Sequence, residues 1–139
     1  MKRYFAGVLI VIMVLSLLGC GGGSLSDKEL IKATITKYYQ GIKVEDIDMV
    51  ASCIDEEYSN VSWSTKENFL NALQLTFVLV DFHEITVSYG EILISNDTAV
   101  AFTNVIIDST SPSGRETTAV DPEFLMVKRG SSWYIKGEV

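Results

Sequence analysis

Few side chains in this sequence combine the chemistry and the setting for a reaction. Two are thiols, Cys20 and Cys53. His83 is the sole histidine, and Asp81 and Glu84 stand beside it. Histidine is the usual proton acceptor near pH 7, so His83 and Asp81 are the candidate acid–base groups, although an isolated histidine at a strand start is more often structural. Glu45, Asp46 and Asp48 form an acidic group that could suggest a cation site. Their spacing matches no calcium loop and lacks the glycine such a loop requires. They crowd the first turn of a helix, where the dipole favours negative charge, and that explains them without a metal. No Ser-His-Asp arrangement, zinc spacing or glycine-rich phosphate loop occurs. The expectation is no metal and no cofactor, and a protein that is more a binder than an enzyme.

The two thiols have different settings. Cys53 lies among Val50, Ala51 and Ile54 and is followed by Asp55, Glu56 and Glu57. A reactive thiol needs positive neighbours, so Cys53 reads as a small buried apolar residue. Cys20 ends a leader. Lys2 and Arg3 precede an apolar run from Ala6 to Leu18, the charge-then-apolar layout of a secretory signal. The run is shorter than the roughly 20 residues that span a bilayer. Leu17-Leu18-Gly19-Cys20 resembles the lipobox of bacterial lipoproteins. The resemblance implies a diacylglyceryl group on the Cys20 sulfur and a mature chain that starts there. The expected organisation is a signal peptide over 1–19, the lipidated cysteine and glycine-rich tether over 20–25, and one domain over 26–139. The protein is then exported and anchored to the cell membrane or the outer membrane.

Without Lys2 and Arg3 the chain keeps nine basic against eighteen acidic side chains, a net charge of −9. Such an acidic domain is a poor partner for nucleic acid or for anionic lipid heads. Its attachment to a membrane would come from the lipid.

The domain reads as helices followed by strands. Ser26-Asp27-Lys28-Glu29 is a capping box. Ile31, Ile35, Tyr38 and Ile42 then make one helical stripe, and Gly41 is the expected stop. Ile47, Val50, Ala51 and Ile54 share the face of a shorter helix. Tyr58 to Trp63 alternates as a short strand. Ser64-Thr65-Lys66-Glu67 reads as a second capping box, ahead of Phe69, Leu70, Leu73, Phe77 and Val80 at helical spacing. From Phe82 the period changes to two, with Gly90 as a bulge. Alternation places His83 on the face of Ile85 and Val87. Strands follow at Thr98 to Asp108, Glu116 to Lys128 and Trp133 to Val139. Asp121-Pro122 marks an edge or a bulge in the second of these, because proline cannot donate to a ladder. Helices on one face of an antiparallel meander make the fold class α+β.

This order, with three local segments, resembles the nuclear transport factor 2-like superfamily, which includes the ketosteroid isomerases and SnoaL-type cyclases. The segments are Tyr38-Tyr39-Gln40-Gly41, Glu45-Asp46-Ile47-Asp48-Met49-Val50, and the closing hairpin Phe124 to Ile135 with Trp133. The resemblance implies a cystatin-like cone, a strongly curved sheet wrapped around a long N-terminal helix, often enclosing an apolar pocket. Tyr38, Trp63 and Phe77 are the candidate pocket residues. In the isomerases a helix-one tyrosine binds an oxyanion, and its position falls on Tyr38. The catalytic carboxylate falls at or next to Ser62, and a serine cannot accept a proton near neutral pH.

Two functions of different class follow. The first is a non-catalytic envelope lipoprotein that binds a small apolar ligand or a protein partner. The second is a small isomerase, dehydratase or cyclase using His83 or Asp81 with Tyr38. The strand from Thr98 is apolar on both faces, so one face needs cover from a second copy or another envelope protein. Val105 and Ile107 are the interface candidates.

Overall fold

A computed structural model describes residues 25–139, so the leader, Cys20 and the tether Gly21–Gly23 lie outside the described residues. Helix α1 (Asp27–Lys43) starts with the expected reciprocal cap. The Ser26 Oγ accepts from the Glu29 amide at 3.3 Å, and the Glu29 carboxylate accepts from the Ser26 amide at 2.9 Å. The stripe Ile31, Ile35, Tyr38 and Ile42 is buried as the spacing predicts. Gly41 does not stop the helix, which runs on to Lys43. Its role is close approach. A Cβ at Gly41 would lie 2.8 Å from the Val50 side chain and 3.0 Å from the Val50 amide. The missing side chain lets α2 (Ile47–Ala51) pack against α1. Asp46 caps α2, its carboxylate accepting from the Met49 amide at 2.9 Å.

Tyr58 to Trp63 is not a strand. The Asn60 carboxamide oxygen accepts from the amides of Ser62 at 2.9 Å and Trp63 at 2.7 Å, which bends the chain where alternation suggested extension. Helix α3 (Lys66–Leu79) follows, with Thr65 as its N-cap in place of Ser64. The Thr65 hydroxyl accepts from the Asn68 amide at 3.2 Å. No residue of α3 is fully buried.

The sheet has five antiparallel strands: β1 (Asp81–Ser95), β2 (Thr98–Ser111), β3 (Gly114–Val120), β4 (Glu123–Arg129) and β5 (Ser132–Glu138). The spatial order is β1-β2-β4-β5, and β3 also pairs with β2. The long strand expected from Glu116 is broken at Asp121-Pro122 into β3 and β4. They occupy successive halves of the same edge of β2, with Val120 opposite Val105 and Glu123 opposite Phe102. The Thr103 amide and hydroxyl both donate to the Pro122 carbonyl, at 3.2 and 2.9 Å, and fill the gap in the ladder.

Three bulges bend the sheet around α1. One falls at Gly90-Glu91, as the glycine suggests. A second falls at His83, between Phe82 and Glu84, and a third at Lys136, between the pairs Met126–Ile135 and Leu125–Gly137. Each extra residue reverses which face the following side chains take. The core lies between α1 and the concave face, built on Phe124, Met126, Ile135, Ile54 and Val50 with the α1 stripe. Cys53 is buried there, 2 % exposed, and burial raises its thiol pKa. The architecture is α+β, as expected.

The interface candidates face the wrong way for that role. Val105 is fully buried, and Ile107 is half-buried against the core. With Ala99 and Ala101 they form the inner face of β2. The outward residues are Val100, Phe102 and Ile106, and Ile106 is 43 % exposed. Opposite Val100 lie Leu93 of β1 and Leu125 of β4, so an apolar ladder crosses three strands on the outer surface.

Candidate functional site

The pocket of interest opens between the C-terminal half of α1 and the ends of the sheet strands, with a volume of about 490 Å³. Its floor comes from α1, where the buried stripe turns inward at Tyr38 and Tyr39. Tyr38 stacks on Phe69 of α3, ring centroids 6.5 Å apart, and meets Phe124 edge-on at 5.9 Å. Phe82 of β1, Ile107 of β2 and Val120 of β3 close the sheet side. Trp63 stands at the rim, 38 % exposed. The two hydrogen bonds that the Asn60 side chain makes to the Ser62 and Trp63 amides hold it there. The Asn60 amide nitrogen of the side chain also donates to the Tyr58 hydroxyl at 2.8 Å, which ties the rim to the core.

Among the described residues one charged side chain lines this pocket, the carboxyl of Glu138. Strict alternation along β5 would put Glu138 on the outer face with Tyr134. The bulge at Lys136 reverses the phase, and Glu138 pairs across the ladder with the fully buried Phe124. Burial raises its pKa, and no hydrogen bond or cation among the described residues opposes that shift. Its charge is felt by the neighbouring phenols. Burial first, then Glu138, holds Tyr38, Tyr39 and Tyr58 protonated well above the usual range. The site therefore offers an aromatic cavity, phenol hydroxyls and one carboxyl without a protein partner.

The sequence candidates divide around this cavity. Tyr38 and Trp63 line it together with Ser62. Phe77 lies one layer out, edge-on to Phe82 at 6.3 Å between centroids. His83 does not share the face of Ile85 and Val87, because it is itself the bulged residue. It is exposed, its Nε2 2.7 Å from the Thr110 hydroxyl. Asp81 is exposed as well. Neither lies among the residues that line the pocket with Tyr38. Glu138 went unread in the sequence. The signal that points to it is Gly137, where a Cβ would lie 2.8 Å from the Ser59 carbonyl. A glycine that close to a crossing chain, inside a strand, marks an irregularity in the alternation.

A second hollow of about 440 Å³ lies over Asp55 and Arg129. Its polar groups already satisfy one another. The Arg129 guanidinium donates to both oxygens of the buried Asp55 carboxylate, at 3.0 and 3.1 Å, and holds its pKa below the usual value.

Comparison with known proteins gives no matching family model and no matching curated protein. Solved structures do match. A conserved protein from Planctomyces limnophilus superposes with a TM-score of 0.70 at 18% identity, covering 81% of this chain and 92% of that one. An NTF2-like protein from Cytophaga hutchinsonii gives 0.69 at 16% identity, with 82% and 96% covered. The fold is nuclear transport factor 2-like. A ketosteroid isomerase-like protein from Erwinia carotovora atroseptica shares it, with a TM-score of 0.66 at 16% identity and coverage of 82% and 95%. Identities this low speak for the nuclear transport factor 2-like fold and leave the chemistry to the residues of the pocket.

Proposed function

We propose that this chain is an exported, lipid-anchored binding protein whose nuclear transport factor 2-like domain takes a small apolar ligand. The observation that carries the reading is the pocket beneath Trp63, lined by Tyr38, Tyr39, Phe69 and Phe82. Concave, largely aromatic cavities with a few polar groups are the usual form of small-molecule sites. Occupancy should be visible in the intrinsic fluorescence of Trp63. In the full chain held in nanodiscs of zwitterionic lipid, the neutral probe 4-phenylbutan-1-ol should shift that emission saturably. Val120→Phe should fill the cavity and remove the response. An unchanged spectrum in the wild type, or an equal response in the filled variant, would count against the pocket.

The anchor rests on Leu17-Leu18-Gly19-Cys20 and the apolar leader. Radiolabelled fatty acid should be incorporated into the wild-type chain and lost completely in Cys20→Ser. Label retained in that variant would remove the lipoprotein reading. The outer ladder of Leu93, Val100 and Leu125 supports a second contact, with another copy or an envelope protein.

Glu138 favours one second reading, a proton-transferring isomerase, dehydratase or cyclase. A carboxyl whose pKa is raised by burial, beside phenol hydroxyls, is the type of group that moves protons near neutral pH. In that reading Glu138 takes the place that His83 and Asp81 leave empty.

A further inference from the structure

Three facts about the pocket bear on which apolar ligands it would admit. Its only charged side chain is Glu138, which has no ion-pair or hydrogen-bond partner among the described residues. No lysine or arginine among the described residues lines it. Its walls carry the rings of Tyr38, Tyr39, Trp63, Phe69 and Phe82. Asp27, Asp55 and Asp108, whose pKa values are lowered, are by contrast held by partners: Asp27 by Trp133 and Lys128, Asp55 by Arg129, and Asp108 by Arg115. Glu138 lines the aromatic cavity with its oxygens left open.

A half-buried carboxylate with no protein partner gains most from a donor that also carries positive charge. An anion in the same cavity would meet Glu138 with nothing to neutralise it, and like charges at close range are strongly disfavoured away from water. A neutral alcohol could donate one hydrogen bond but would leave the charge uncompensated. Aromatic ring faces attract cations and repel anions, so the walls bias the choice in the same direction. We infer that the pocket selects an apolar amine, its hydrocarbon body against the aromatic walls and its protonated nitrogen donating to the Glu138 carboxylate. This deepens the pocket reading and rests on it. No bond is made or broken in the binding step.

The test is a matched set of probes with one body and three heads: 4-phenylbutylammonium, 4-phenylbutan-1-ol and 4-phenylbutanoate. Each is titrated calorimetrically at pH 7.5 into the full chain in zwitterionic nanodiscs, against empty discs as the blank. The wild type should bind the ammonium at least about ten-fold more tightly than the alcohol, and the carboxylate least of all. Glu138→Gln should lower the ammonium to about the affinity of the alcohol in the same variant. Equal affinity for all three heads, or a preference for the carboxylate, would overturn the amine inference and leave the apolar pocket standing. A preference for the ammonium that persists in Glu138→Gln would overturn the role of Glu138. Failure of all three probes to bind would overturn the inference and the pocket reading together.

Discussion

Lysine at Val105 should unfold the domain, and lysine at Ile106, one residue along the same strand, should leave it folded. Val105 is fully buried on the inner face of β2, opposite Val87 on one side and Val120 on the other. An ammonium there has no carboxylate to meet and no short path to water. Burying an unpaired charge costs several kcal/mol, a large share of the roughly 5–15 kcal/mol that holds a domain of this size together. Ile106 points outward between Thr86 and Ala119. Lysine there reaches solvent directly, and substitutions at exposed sites of this kind stay within about 0.5 kcal/mol. Thermal melts followed by circular dichroism should separate the pair: no cooperative transition for Val105→Lys, a near wild-type one for Ile106→Lys. Sedimentation adds a second readout. If a second copy packs on the outer face of β2 around Ile106, Ile106→Lys should shift the chain to monomer at concentrations where the wild type associates. A cooperative, wild-type melt for Val105→Lys would mean that the inner face of β2 is assigned to the wrong side.

That contrast also marks where the sequence was readable. Features that depend on local chemistry were legible. The Ser26–Glu29 cap, the α1 stripe, the bulge at Gly90 and the interruption at Asp121-Pro122 each follow from a residue type at a short spacing. Features that depend on phase were not. Alternation along β2 is apolar on both sides, so periodicity alone cannot say whether Val105 or Ile106 faces the helices. The inner side turns out to carry the small residues Ala99 and Ala101, with Thr103 satisfied by the Pro122 carbonyl. The larger Phe102 and Ile106 face out.

The bulges at His83 and Lys136 explain the two errors at the site. Neither position itself carries a glycine or proline; nothing local announces the extra residue at His83, and the one beside Lys136 is marked only by Gly137. Each bulge shifts the downstream alternation by one and so swaps faces for every residue until the next irregularity. His83 thereby leaves the interior, and Glu138 enters it. Tyr38 was legible because it depends on a helical stripe, whereas the turn that sets Trp63 at the rim, with the Asn60 side chain closing onto the next amides, was read as a strand because its residues alternate.

Glu138→Gln should raise the melting temperature at pH 7 while it removes the cation preference of the pocket. Burial raises the Glu138 pKa in the folded protein above its value of about 4.3 in an unfolded chain. Between those two values the native state binds more protons than the unfolded state, so stability falls as pH rises. Above the folded value the full penalty for burying the ionised carboxylate is present. The phenols of Tyr38, Tyr39 and Tyr58 face the same carboxyl, and all three stay protonated through this range, so they do not compensate it. Glutamine keeps the shape and never ionises. The variant should therefore be more stable than the wild type at pH 7, and the two should converge below about pH 4, where Glu138 is protonated in both states. Asp27, Asp55 and Asp108 act with the opposite sign, because their partners lower their folded pKa values and their contributions are lost as pH falls. They are present in both proteins and cancel in the difference. Melting curves of the pair from pH 4 to pH 8 give the comparison directly. A variant less stable than the wild type at pH 7 would mean that Glu138 has a stabilising partner and is not open to a ligand. A gain in stability together with a loss of ligand selectivity is the signature of a charge kept in a cavity for what it binds.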